Sequence, residues 1–262
     1  MSFTRIKALI LQDTFINLRS LEVVIDLPFF SIMSVISFGF VTKFLTSQAS
    51  HIAASYLLLG MILWEVMRIN QYSLTVGSFW SIWARNLTNI FIAPISIAEY
   101  LVAYMSVGLF KTIISINLVA ILARVVFHFD LYSLGIPNLL IYAFNLVIFS
   151  WALGIFILGI VFKYGSRYAA LGWGLIVLFQ PLMATFFPVS IMPKFLQIIA
   201  FTLPPTYVFE AARQNLTQSA INWNLIGPAT ILNVIYFALS LAFFHLMFIQ
   251  SKDSGQFARN EG

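Results

Sequence analysis

Apolar residues gather into six long runs along the chain, at about 27–46, 53–76, 99–126, 136–161, 168–187 and 225–250. A helix that crosses a bilayer needs roughly 20 mostly apolar residues, so each run reads as a candidate span. The connectors are short. "SQASHI" follows the first run, and "FHFDLYSLGIP" follows the third, with Pro137 in the first turn of the next helix, where its missing N–H costs nothing. "KYGSRY" follows the fourth, and Gly165 and Ser166 suit a tight turn there. Ahead of the first run the pattern changes. Phe3, Ile6, Leu9, Ile10, Phe15 and Leu18 recur at roughly helical spacing, with Arg5, Lys7, Gln12, Asp13 and Arg19 between them. That is the pattern of an amphipathic helix lying in a membrane interface, within a segment 1–24; a cytoplasmic extension of the first span is the other form it can take. Asp26 and Pro28 predict a break before that span.

The second and third runs are joined by residues 77–98, which include "GSFWSIWARNLTNIFIAPIS". Leu87, Ile90 and Phe91 share one helical face, Arg85, Asn86 and Asn89 offer polar contacts, and Pro94 ends the piece. A short amphipathic helix parallel to the membrane is expected, resting on lipid or gripped by a soluble partner. The segment 187–213, "FPVSIMPKFLQIIAFTLPPTYVFEAAR", is apolar yet interrupted by Pro188, Pro193, Pro204 and Pro205. Ten residues separate Pro193 from Pro204, about 15 Å of helix and half a bilayer. The expectation is a pair of short helices that dip into the outer leaflet and return before the last span, an extracellular re-entrant hairpin over 188–218. Irregular backbone at that depth must be shielded by protein or face a wet cavity, so the prolines read as the lid of a pathway.

Composition settles the class. Of 262 residues, 61% are hydrophobic and 9% charged, against about 25% charged in a soluble domain; this is a polytopic membrane protein. Cysteine is absent, which removes disulfides, thiolate metal sites and cysteine nucleophiles together. The net charge of +5 is read through topology rather than as affinity for nucleic acid. Counted by loops, one side collects Arg5, Lys7, Arg19, Arg85, Lys163, Arg167, Lys252 and Arg259, and the other Lys43, Arg124, Lys194 and Arg213. The positive-inside rule then puts both termini in the cytoplasm. No repeat or linker divides the chain, so 1–262 is expected to be one transmembrane domain.

Glu65, Arg68 and Lys111 fall inside predicted spans. A charge at that depth costs about 2.5–3.5 kcal/mol on insertion scales, so each needs a partner or a wet cavity. Glu65 and Arg68 lie three apart on one helix face and can pair, as a packing device, as part of a substrate path with Trp64 and Lys111, or as a proton relay. Glu65 is the expected partner of Lys111. Glu210 and Arg213 repeat the spacing outside the spans, to hold the hairpin closed or to bind ligand. Asn117, Asn145 and Asn233 are expected to bond between helices, the six Trp to sit mostly near span ends, and Gly154, Gly159, Gly172 and Gly174 to permit close helix contact.

"YLLLGMILW" at 56–64, "RNLTNIFIAPISIAEY" at 85–100 and the proline-rich 187–213 together resemble the ABC-2 family of ATP-binding-cassette permeases. The resemblance covers the whole chain in order. It implies the transmembrane subunit of an exporter of amphipathic, lipid-linked or glycan substrates in a bacterial-type cytoplasmic membrane. It also implies pairing with a second copy or a paralogous permease and with a separate ABC ATP-binding subunit. That subunit would hold ATP and Mg, since no G-x-x-x-x-G-K-[ST] loop occurs here; this chain would bind no cofactor and catalyse nothing itself. By the same resemblance, Arg85 to Pro94 look like the coupling helix, Arg5 to Arg19 like the interfacial helix, and Pro188 to Arg213 like the extracellular gate. Two other readings compete. A proton-coupled secondary transporter would use Glu65, though the internal repeats common in such folds are absent. A membrane-embedded hydrolase would need nucleophile or metal motifs, and neither H-E-x-x-H nor G-x-S-x-G occurs.

Overall fold

A computed structural model describes residues 1–19, 21–48, 51–83, 86–218 and 220–254; side chains at 21–27, 46–48, 51–54, 87 and 88 lie outside the description. The described residues form α-helices and short 3-10 turns without a strand. In chain order the helices are α1 (Phe3–Arg19), α2 (Leu21–Gln48), α3 (His51–Trp83), α4 (Leu87–Ile92), α5 (Ile97–Phe127) and α6 (Ile136–Tyr164). Then follow α7 (Leu171–Leu182), α8 (Lys194–Ala200), α9 (Pro204–Asn215) and α10 (Trp223–Asp253).

Among the described residues, four helices are long and apolar enough to cross a membrane, within Pro28–Leu45, Ile97–Phe127, Ile136–Tyr164 and Trp223–Asp253. A fifth is added if α8 and α9, bent by 101°, count as one. The chain is a multi-pass membrane protein. Two of the six expected spans take a different form. The run 53–76 is part of α3, whose 33 residues reach about 50 Å and which lies in the middle of the bundle against α2, α5, α6, α7 and α9. Glu65, Asn70, Gln71, Ser73, Thr75, Ser78 and Ser81 on it are all buried; a helix surrounded by protein need not be apolar, because its polar groups meet other side chains rather than lipid. The run 168–187 contains one helix of only 12 residues, α7, about 18 Å long. Residues 183–187 continue its path without helix, so that the segment still runs beside α3. A Cβ on Gly172 would meet Phe79 at 2.7 Å, and one on Gly60 would strike the carbonyl oxygen of Thr185.

The expected break at Asp26 and Pro28 is not there: α2 continues through Pro28. Proline removes one backbone hydrogen bond, and in a membrane helix neighbouring groups make such a loss tolerable. α3 also runs on to Trp83, beyond the expected exit at 77.

The bundle has two distinct ends. At one, the start of α1 meets the start of α5, where the Ser2 amide donates to Glu99 Oε1 at 2.6 Å and Arg5 lies 3.7 Å from Glu99. Glu99 also completes a capping box with Ser96 that fixes the entry to α5. The C-terminal parts of α6 and α10 meet at the same end, through Ser251 Oγ to the Phe162 carbonyl and Lys163 Nζ to that of Gln250. Phe91 of α4 contacts Tyr100 and Phe248 there. At the other end, Phe40 of α2 meets Phe127, and Asn138 at the start of α6 donates to Asn215 of α9 at 2.9 Å. Arg5, Lys163 and Lys252 thus gather at the α4 end, and Lys43, Lys194 and Arg213 at the α9 end.

Between the ends, α6 and α10 pair closely. Asn233 Nδ2 donates to both Oδ1 and the carbonyl of Asn145 at 3.0 Å, the interhelical bond expected of them. Asn117 instead accepts from Tyr132 in the 3-10 turn Leu131–Leu134. Gly154 and Gly159 do admit Leu74 and Phe243 closely, whereas Gly174 faces open space.

Candidate functional site

A cavity of about 540 Å³ opens between α2, α3 and α7, lined by Arg68, Gln71, Trp80, Trp83, Gly172 and Trp173 among others. Its polar end is built on α3. Glu65 is fully buried and holds Arg68 through two bonds, from Nε to Oε1 at 3.0 Å and from Nη2 to Oε2 at 2.7 Å. Ser31 of α2 donates to Glu65 Oε2 at 2.6 Å and accepts from Arg68 Nη2 at 3.1 Å. The pair expected from the three-residue spacing is therefore formed, and it ties α2 to α3. Arg68 keeps 22% side-chain exposure and lines the cavity. One turn on, Gln71 Nε2 donates to Thr75 and to the carbonyl of Gly172, joining α3 to α7. The opposite wall is aromatic. Trp83 and Trp173 lie nearly parallel with centroids 6.0 Å apart, and Trp80 meets Trp83 edge-on at 5.3 Å, arrangements that aromatic pairs prefer.

Two members of the expected path lie elsewhere. Trp64 is buried in the core and lines none of the described cavities. Lys111 pairs not with Glu65 but with Asp13 of α1, at 3.6 Å. The reason is geometric: a helical side chain leans toward its own N-terminus, and the long lysine stem carries its ammonium back toward the crossing of α1 over α5. Asp13 is buried and also accepts from Asn17. Burial pushes its carboxyl above the ordinary range, opposed by Lys111 and Asn17. On the same helix Lys7 and Arg19 are exposed to the surroundings.

At the α9 end the prolines open helices rather than end them. Pro188 precedes the 3-10 turn Val189–Ile191, Pro193 precedes α8, and Pro204 and Pro205 form the first turn of α9. α8 exposes Phe195 and Ile198, whereas α9 is largely buried. Arg213 fastens this region. Its Nη1 donates to the carbonyl of Ala184 at 2.9 Å, and its Nη2 to Glu210 Oε1 at 3.0 Å. Glu210 Oε1 in turn accepts from the Val189 amide at 2.6 Å. Ala184 has φ of 52°, left-handed backbone that is uncommon outside glycine, and its two polar groups are taken by Arg213 and by the Pro181 carbonyl.

At the opposite end, Asn86 precedes the first turn of α4 without a side-chain cap bond to its amides, and accepts from Asn89 Nδ2 at 3.2 Å. Phe91 faces the bundle, whereas Asn89, Ile92 and Pro94 are exposed. Arg85 lies outside the described residues, as does the side chain of Leu87. Among the described residues no group of His, Asp or Glu is arranged to hold a metal ion.

The tryptophan wall and Gln71 were not legible as a site, because tryptophans near span ends read equally well as a membrane-interface belt. Their signal was their spacing: Gln71 lies on the run that carries Arg68, and Trp80 and Trp83 follow it by a few turns on what proves to be the same helix. The fold and its groups define an all-helical, multi-pass membrane protein with a partly polar cavity inside the bundle. No protein-family model and no curated protein matches the chain.

Proposed function

We propose that the chain is the transmembrane subunit of an ATP-driven exporter of the ABC-2 type, with both termini in the cytoplasm and ATP hydrolysed by a separate subunit. The observation that carries the reading is the placement of α4. It bridges α3 and α5, presents Asn89, Ile92 and Pro94 outward, and sits at the end where Arg5, Lys163 and Lys252 gather. A partner that pushes α4 would move α3, and α3 forms a wall of the cavity. The bent α8–α9 pair, pinned by Arg213, closes the other end as a gate. α1, crossing α5 at the α4 end, serves as the interfacial helix. A second copy or a paralogue completes the pathway, and an amphipathic, lipid-linked or glycan molecule is the cargo.

Co-purification tests the reading. In mild detergent the wild type is expected to retain an ABC ATPase of its own organism. Arg85→Glu combined with Ile92→Asp should lose it at least tenfold at unchanged membrane yield, since Ile92 is 77% exposed and its change disturbs no core. Absence of any ATPase from the wild-type preparation would overturn the reading. The buried Asp13–Lys111 pair is the observation on which a proton-coupled transporter would rest instead. Vesicle transport that follows a proton gradient and ignores ATP would select that alternative.

A further inference from the structure

We propose that the cavity between α2, α3 and α7 binds a planar aromatic amphipath. Its rings lie against Trp80, Trp83 and Trp173, and a hydrogen-bond acceptor on it meets Arg68. This names the cargo class of the site and rests on the transport reading above. The cavity volume of about 540 Å³ falls within the range of small-molecule sites, roughly 300–1,000 Å³. Trp83 and Trp173 are 43% and 41% exposed, so although they lie against each other and Trp83 also against Trp80, part of each ring remains open to a flat ligand.

The polar end narrows the chemistry. Arg68 spends Nε and Nη2 on Glu65 and Ser31, which leaves Nη1 as a donor. Glu65 already balances the charge, so one acceptor oxygen is suited and a polyanion is not, because the buried carboxylate would repel it. A cation is disfavoured by the guanidinium itself. Gln71 is fully buried and lines the same cavity, and among the described residues its Oε1 has no hydrogen-bond partner. An unpaired buried acceptor is costly, and a turn of the amide toward the cavity would let a ligand N–H or O–H meet it. The groove between α5 and α6, larger at about 860 Å³, is lined by no ionic group, and its Thr112, Asn117 and Tyr132 already bond within the protein.

The test uses the purified full chain in phosphatidylcholine nanodiscs without ATPase, titrated with 1-anilinonaphthalene-8-sulfonate against empty nanodiscs. Saturable uptake is expected, read by energy transfer from tryptophan and by equilibrium dialysis. Trp83→Leu with Trp173→Leu should weaken it at least tenfold. Arg68→Lys, which keeps the charge but loses the fork, should weaken it severalfold, and Trp223→Leu, outside the cavity, should leave it unchanged. If the double variant does not elute as a folded species, Val177→Trp, which narrows the cavity from α7, replaces it. Uptake equal to that of empty nanodiscs overturns the proposal, as does saturable binding that survives these cavity variants or is lost with Trp151→Leu in the α5–α6 groove. Absent dye binding with the ATPase still attached removes the cargo proposal alone. Lost ATPase with intact dye binding removes the exporter reading and leaves the cavity as a binding site.

Discussion

Glu65→Met is expected to destabilise the protein by about 3–5 kcal/mol, the loss typical of a buried ion pair that is deprived of one partner. The Glu65→Met, Arg68→Met double variant should recover most of that loss. Glu65 is fully buried and accepts from Arg68 Nε, Arg68 Nη2 and Ser31 Oγ. Removing it leaves a guanidinium among helices with only Ser31 to meet it. Removing both charges replaces the pair with two flexible apolar side chains of similar length, which a bundle interior accommodates. Heating Glu65→Met, Arg68→Met and the double variant in one detergent and following the monodisperse fraction distinguishes the cases. A double variant that loses as much as the sum of both singles would show that the pair is not coupled. Ligand binding should be weakened in the double variant even where stability returns, because Arg68 is the cavity's donor.

The second large effect is expected at Arg213. Its side chain is 3% exposed and joins Glu210 to the carbonyl of Ala184. Arg213→Met should cost about 3–5 kcal/mol, and Arg213→Lys should not rescue it, because an ammonium cannot reproduce the planar fork that serves two acceptors in different directions. The consequence is local as well as global. Without the guanidinium, the Ala184 carbonyl loses its donor, and residues 184–189 are expected to loosen from α9. The absence of cysteine makes this directly measurable. Thr185 is fully buried, so Thr185→Cys should resist a membrane-impermeant maleimide in the otherwise native chain and react in the Arg213→Met background. Equal labelling in both backgrounds would dismiss Arg213 as the fastening of this segment.

Much of the helix arrangement was legible because lipid imposes a length and an apolarity that sequence records directly. The runs 99–126, 136–161 and 225–250 correspond to α5, α6 and α10 to within a few residues. The prolines at 188, 193 and 204 mark the starts of short pieces because proline's fixed φ suits a first turn. The pairs Glu65–Arg68 and Glu210–Arg213 were legible because three residues on a helix are neighbours whatever surrounds them. What failed to show was what depends on tertiary placement. Lys111 meets Asp13, nearly a hundred residues away, because α1 crosses α5 within reach of the lysine stem. α7 stops at Leu182 although apolar residues continue to Phe187; a turn there brings Thr185 under Gly60, and apolarity alone carries no record of such a turn. The cavity is formed by three helices from separate parts of the chain, so its walls became a site only when folded.

The meeting of Ser2 with Glu99 and the groove that Lys252 shares with Ser96 and Ile97 have a consequence of parity. Both ends of the described chain lie at one end of the bundle, so its end-to-end passes must sum to an even number. Counting apolar helices gives four, which is even, and adding the bent α8–α9 pair as a crossing gives five, which is odd. Parity therefore binds the α8–α9 pair to α3 and the α7 segment, the stretches that lipid-facing apolarity overlooks: of these three, none or two cross from end to end.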